Sequence, residues 1–142
     1  MKVEIQLAEG VPLPTRAIDG DAGFDLRSNV SVELAPCSRT LISTGIRLSM
    51  PEGLCALVLP RSGLALKHGI TLMNSPGLID SGYRGEIKVI LYNSDTQNHF
   101  LISEGDRVAQ ILFLSYPDIE FVTSEYLTSS ERGTGGFGHS GL

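Results

Sequence analysis

The sequence predicts an all-β domain of sandwich, barrel or jelly-roll-like type, carrying one short helix and a glycine-rich end. Three observations predict it. Short segments alternate apolar and polar residues with the period of a half-buried strand. Turn-forming clusters separate those segments at short intervals. Sixteen glycines and seven prolines in 142 residues supply more turns than a helical bundle uses.

Val3, Ile5 and Leu7 alternate with polar residues and open the set of strands. Val30, Val32 and Leu34 repeat the pattern, as do Ile46 and Leu48. Leu54–Leu59 is a short apolar run that stops at Pro60. Gly63–His68 has helix-forming residues, with Ser62 as the expected N-cap and Gly69 as the stop. Glu86–Tyr92 and Val108–Leu114 are two further strands, and Phe121–Val122 closes the series. Turns are expected at Asp19-Gly20, at 51–53, 75–77 and 93–95, and at 104–106. The end from Ser129 onward is rich in glycine, which leaves little to pack and by composition alone reads as a disordered tail. It nonetheless carries Arg132, Phe137 and His139. No repeat or internal boundary is visible, so residues 1–142 are expected to form one domain.

Composition narrows the function classes. A hydrophobic fraction of 42% with 19% charged residues suits a globular chain. The net charge of −5 argues against a broadly basic nucleic-acid surface, though a local phosphate site stays open. No apolar run has membrane-spanning length, and the first ten residues lack an apolar leader core. A cytoplasmic protein without nucleic-acid or membrane partners is expected. Cys37 and Cys55 show no metal or redox spacing, so two buried free thiols are expected.

Several chemical signals fail on inspection. Gly133-x-Gly135-x-x-Gly138 has dinucleotide spacing, but no strand precedes it closely and no helix can follow. No Walker loop and no Gly-x-Ser-x-Gly elbow is present. His68, His99 and His139 lack ligand spacing for zinc.

Others remain, each weak singly. Pro60-Arg61-Ser62-Gly63 joins a strand to the helix, where free N–H groups, a hydroxyl and a guanidinium suit phosphate oxygens; taken alone, an ordinary helix cap with a surface arginine is the better reading. The 77–86 segment is dense in turn residues yet holds Asp80 as a candidate general base and Tyr83 as a platform for a sugar or base. Plain turn chemistry is its alternative. Asp25 lies among apolar neighbours and on its own reads as a β-turn aspartate. Gln110 lies in an apolar strand, where a buried amide needs partners from the core or from a ligand.

Taken in order, AGFDL (22–26), PRSGLA (60–65), GLIDSGYRGE (77–86), GDRVAQI (105–111) and RGTGGFGHSG (132–141) resemble the five motifs of the trimeric dUTP pyrophosphatase (dUTPase) family. The resemblance spans nearly the whole chain. It implies a distorted jelly-roll-like subunit, a mobile arm over about 129–142, and a homotrimer whose active sites each draw on three chains. It implies hydrolysis of dUTP to dUMP and pyrophosphate, which limits uracil incorporation into DNA and supplies dUMP for thymidylate synthesis.

By the same resemblance, Asp80 activates the water that attacks the α-phosphorus. Asn74, Gly77, Leu78 and Ile79 belong to the hairpin that receives uracil. Tyr83 packs on the deoxyribose, and Lys88 lines the pocket. Arg61, Ser62 and Gly63 hold phosphates with Gln110 nearby. Asp25 acts on Mg²⁺ through water, the cofactor being bound mainly by phosphate oxygens. Arg132 and the Gly133–Gly136 backbone cover the β- and γ-phosphates, Phe137 lies over the uracil ring, and Gly138 also contacts substrate. His139 departs from the serine frequent at that position, which puts its phosphate contact in question. Two rivals stand beside this reading. One is a related dCTP deaminase. The other is a non-catalytic protein that keeps the fold.

Overall fold

A computed structural model describes residues 1–136 of the chain. Its strands are β1 (Glu4–Leu7), β2 (Phe24–Arg27), β3 (Val32–Leu34), β4 (Arg39–Ser49) and β5 (Leu54–Leu59). After the helix α1 (Ser62–His68) come β6 (Ile70–Leu72), β7 (Gly77–Ile79), β8 (Ile87–Asn93), β9 (Phe100–Ile102) and β10 (Arg107–Ser115). One four-stranded sheet runs β1-β4-β8-β6, a second runs β2-β10-β5-β7, and β3 with β9 forms a separate ribbon. Every pairing is antiparallel. The expected all-β, jelly-roll-like architecture with one short helix is what the structure has.

Alternation builds the core. β5 buries Leu54, Ala56 and Val58 in strict alternation, and β8 buries Ile87, Val89 and Leu91. These side chains join Leu26, Ile42, Ile46, Ala109 and Ile111 in one cluster drawn from both four-stranded sheets. Burying each such side chain is worth roughly 1.5–3 kcal/mol.

The longest strand is interrupted. β4 pairs with β8 from Arg39 to Ser43, then slips before Ile46. Gly45 sits in that bulge with φ +69°, and a Cβ there would lie 2.7 Å from Val11 Cγ2. The position therefore requires glycine, both for its backbone and for its space.

Four expectations need correction. Ser62 is the first helical residue rather than the cap; Arg61, in extended geometry with no side-chain cap bond, precedes it. The strand at 121–122 is not formed: Phe121 and Val122 are exposed coil. β10, the last strand among the described residues, is already paired with β2 and β5 and has no free edge for a successor. The cysteines are free but not buried. Cys37 is an exposed turn residue with φ 51°, and Cys55 takes the half-buried side of β5. Val30 lies outside β3, in an exposed turn. Gly69 does stop the helix, in left-handed geometry with φ 65°.

Candidate active site

Two clusters hold the predicted side chains. The first forms at one end of the β2-β10-β5 sheet. Gln110 of β10 faces Asp25 of β2 on one side and Leu59 of β5 on the other. Its amide donates to the Pro60 carbonyl at 2.9 Å, so the polar group in this apolar strand is satisfied by the chain itself. Gly23 lets the amide approach, because a Cβ there would lie 3.0 Å from Gln110 Oε1. Asp25 is a strand residue, not the turn aspartate that its local sequence suggested. Its carboxylate, 13% exposed, lies 3.6 Å from the Arg61 guanidinium and 3.3 Å from that of Arg107. Arg61 also donates to the Arg107 carbonyl at 3.0 Å. Ser62 and Gly63 open α1 beside this group and are exposed. Two guanidiniums, a hydroxyl and exposed backbone make this end suited to a polyanion.

Arg107 had no assigned role in the sequence reading. Its signal was an arginine at the polar start of an otherwise apolar strand, two residues after Gly105.

The second cluster surrounds the β7–β8 connection. β7 adds to the edge of β5, with Gly77 opposite Val58 and Ile79 opposite Ala56. Asn74 closes the base of this arm: a Cβ on Gly77 would lie 3.4 Å from its amide nitrogen. Asp80 follows β7 and is exposed; the Tyr83 N–H donates to its carbonyl at 3.1 Å, forming a tight turn. Arg84 donates to the carbonyls of Ser81 and Tyr83, which stiffens that turn. Leu78, Ile79, Asp80, Tyr83 and Lys88 line one cleft of about 550 Å³, together with Leu41, Arg47 and Glu86.

Glu86 is the second residue the sequence reading passed over, although it closes the third motif. Burial favours its neutral form. Hydrogen bonds from the Ser43 hydroxyl and the Gly45 N–H, with Lys88 nearby, outweigh this and hold the carboxyl below its usual range.

Arg132 is exposed and donates to the Gly135 carbonyl at 2.9 Å, and Gly133 donates to Ser130. The described part of the tail thus folds on itself in a turn. Phe137, Gly138 and His139 lie outside the described residues.

Within one chain the two clusters are apart. Ile79 is opposite Ala56, and Arg61 lies five residues further along from Ala56. The strand portion of that span, from Ala56 to Leu59, is roughly 10 Å at ~3.3 Å per residue.

A family model described as dUTPase matches residues 9–141. Among similar proteins, the deoxyuridine 5'-triphosphate nucleotidohydrolase of Tropheryma whipplei (strain Twist) is 48% identical over 141 residues, covering 99% of this chain and 96% of that one. The enzyme of the same name from Mycobacterium tuberculosis (strain ATCC 25177 / H37Ra) is 49% identical over 142 residues, covering 96% and 92%. The dUTPase of Staphylococcus bacteriophage 80alpha, solved with dUPNHPP, superposes with a TM-score of 0.93 at 27% identity, covering 99% of both chains. A D95N mutant dUTPase from phage phi11 of S. aureus, solved to describe the coordination of a structural Mg(II) ion, gives 0.84 at 26% identity, covering 91% of this chain and all of the other. The motifs, the fold and these likenesses agree, and the chain belongs to the dUTPase family.

Proposed function

We propose that this protein hydrolyses dUTP to dUMP and pyrophosphate. The observation that carries the mechanism is the cleft in which Asp80 stands beside Tyr83, at the end of the β7 arm. A water held by the Asp80 carboxylate gives up a proton to it as the oxygen bonds to the α-phosphorus. The bond from that phosphorus to the bridging oxygen breaks, and pyrophosphate leaves. The arm around Asn74 and Gly77–Ile79 supplies backbone groups for the uracil edge. Tyr83 packs on the sugar where a 2′-hydroxyl would stand, and Lys88 lines the same wall. Arg61, Ser62 and Gly63 hold the phosphates with Gln110 beside them, and Arg107 joins this group.

Magnesium suits this donor set. Asp25 is a hard oxygen donor already flanked by two guanidiniums, and the described residues contain no group of three His, Cys, Asp or Glu side chains that could hold a metal. Such a set fits an ion carried mainly by phosphate oxygens, with Asp25 reaching it through water. When bound, the ion offsets the triphosphate charge and orients the chain for in-line attack.

Membership of the dUTPase family supports a homotrimer with shared sites. Arg61 follows the end of β5 that points away from the Ala56–Ile79 pair, which supports a phosphate cluster supplied to Asp80 by another copy. Residues 1–142 act as one domain, and its end from about 129, with Arg132, Gly133, Phe137, Gly138 and His139, closes over the nucleotide.

The test is product analysis with dUTP, dTTP, dCTP and UTP in the presence of Mg²⁺. Pyrophosphate from dUTP alone is expected. Ammonia release from dCTP, or comparable kcat/KM for a second nucleotide, would overturn the assignment.

A further inference from the structure

We infer that Gly85 and Glu86 are positioning residues for Tyr83, and that the β4 bulge sets through them how strictly the protein refuses a ribonucleotide. The inference rests on Tyr83 being the sugar contact. The Tyr83 ring does not stand free over the cleft. Its hydroxyl donates to the Glu86 carbonyl at 3.0 Å, folding the side chain back across Gly85. A Cβ on Gly85 would lie 2.8 Å from ring Cε2 and nearer still to Cζ and the hydroxyl. Any larger residue there must displace the ring or the backbone beneath it.

Glu86 is fastened in turn. One carboxylate oxygen, Oε1, accepts from the Ser43 hydroxyl and from the Gly45 N–H at 2.8 Å. The Gly45 N–H reaches it because the bulge interrupts pairing between Ser43 and Ile46. Thr44, buried in the same bulge, donates to the Ile87 carbonyl at 2.5 Å, so the next residue of β8 is fixed as well. The carbonyl that receives Tyr83 therefore belongs to a residue tied at its side chain and at its C-terminal neighbour. Lys88 lies 3.7 Å from the other carboxylate oxygen. A ring held this way has little freedom to retreat from a 2′-hydroxyl, and discrimination of this kind depends on a wall that does not yield.

The experiment measures kcat/KM for dUTP and UTP on the same preparation of each protein: wild type, Tyr83→Ala, Gly85→Ala, Glu86→Ala, Ser43→Ala and Glu86→Gln. The ratio of the two values cancels differences in the folded fraction, so loss of stability alone does not move it. In Gly85→Ala and Glu86→Ala the UTP-to-dUTP ratio should rise about tenfold or more, within the range that a single pocket contact supplies. Ser43→Ala should shift it in the same direction by less. Glu86→Gln keeps an oxygen for Ser43 and Gly45 and should stay near wild type. A wild-type ratio in both Gly85→Ala and Glu86→Ala, with Tyr83→Ala relaxed, would overturn the positioning role and leave the sugar contact standing. A Tyr83→Ala protein that still refuses UTP would remove the sugar contact itself, and the inference with it. Should Glu86→Ala fail to fold, Gly85→Ala and Ser43→Ala decide.

Discussion

Asp80 and Asp25 show how surroundings divide two like side chains. Asp80 stands exposed after β7, with its backbone carbonyl used in the turn to Tyr83 and no ion pair to its carboxylate among the described residues. Asp25 is nearly covered and lies between two guanidiniums. A carboxylate without a cationic partner is available to take a proton from water, whereas one held by two arginines is committed to orienting them. Asp80→Ala should therefore lower kcat by roughly 10²–10⁴-fold, the usual worth of a general base. The fold should survive, since an exposed side chain is removed. Nucleotide affinity, read by calorimetry with a non-hydrolysable analogue, should change little. A variant with near-normal kcat would take Asp80 out of the mechanism.

At the level of elements, β4 and β8 connect the core to the candidate site. β8 contributes Ile87, Val89 and Leu91 to the interior and begins beside the Tyr83 turn. The Glu86 carboxylate joins that beginning to the β4 bulge. Its folded-state value lies below the ordinary 4.5. The bridge therefore contributes stability that is fully present above about pH 4.5, and this is lost as pH falls through the lower folded value. Glu86→Gln should be less stable than wild type by about 1–2 kcal/mol at neutral pH, since it forfeits charge-assisted hydrogen bonds. The gap should close in acid, where the wild-type carboxyl is also neutral. Urea unfolding of both proteins at neutral and acid pH measures it, and a gap independent of pH would remove the carboxylate as its source.

At the scale of the whole molecule, the Asp80 cleft lies beside the Ala56–Ile79 pair and the Arg61 cluster lies past the Leu59 end of β5, a separation that motivates a search between chains. The tail adds a second reason to look between chains. Residues 131–134 are exposed, and Arg132 bonds only within its own turn among the described residues. Deleting 131–142 should abolish most turnover while leaving oligomer size unchanged, because a glycine-rich sequence offers few side chains to a core. The tail deletion and Asp80→Ala can then be unfolded together and co-refolded. If Asp80 and the tail of one site come from different chains, some mixed sites are sound and activity returns. No recovery, with mixed oligomers demonstrated by native mass spectrometry, would mean that each chain closes its own site.

The sequence by itself determined what depends on near neighbours. The alternation of Val32 with Leu34 and of Ile46 with Leu48 marked β3 and part of β4, because alternation is a local property of an extended chain. Gly69 marked the helix stop for the same reason. The five ordered motifs named the family, and with it most of the candidate site. Only the tertiary structure decided what depends on register. Asp25 and Arg107 are 82 residues apart and meet because β10 pairs with β2. Ser43 and Glu86 are 43 apart and meet because a bulge turns the Gly45 N–H toward β8. Arg107 and Glu86 had no role until those pairings were formed. Phe121–Val122 had the residues of a strand yet pairs with none among the described residues, and Cys37 had the chemistry of a core residue in a turn that faces water. Strand propensity and burial become structure only when a partner surface is in reach, and that surface is supplied by distant parts of the chain.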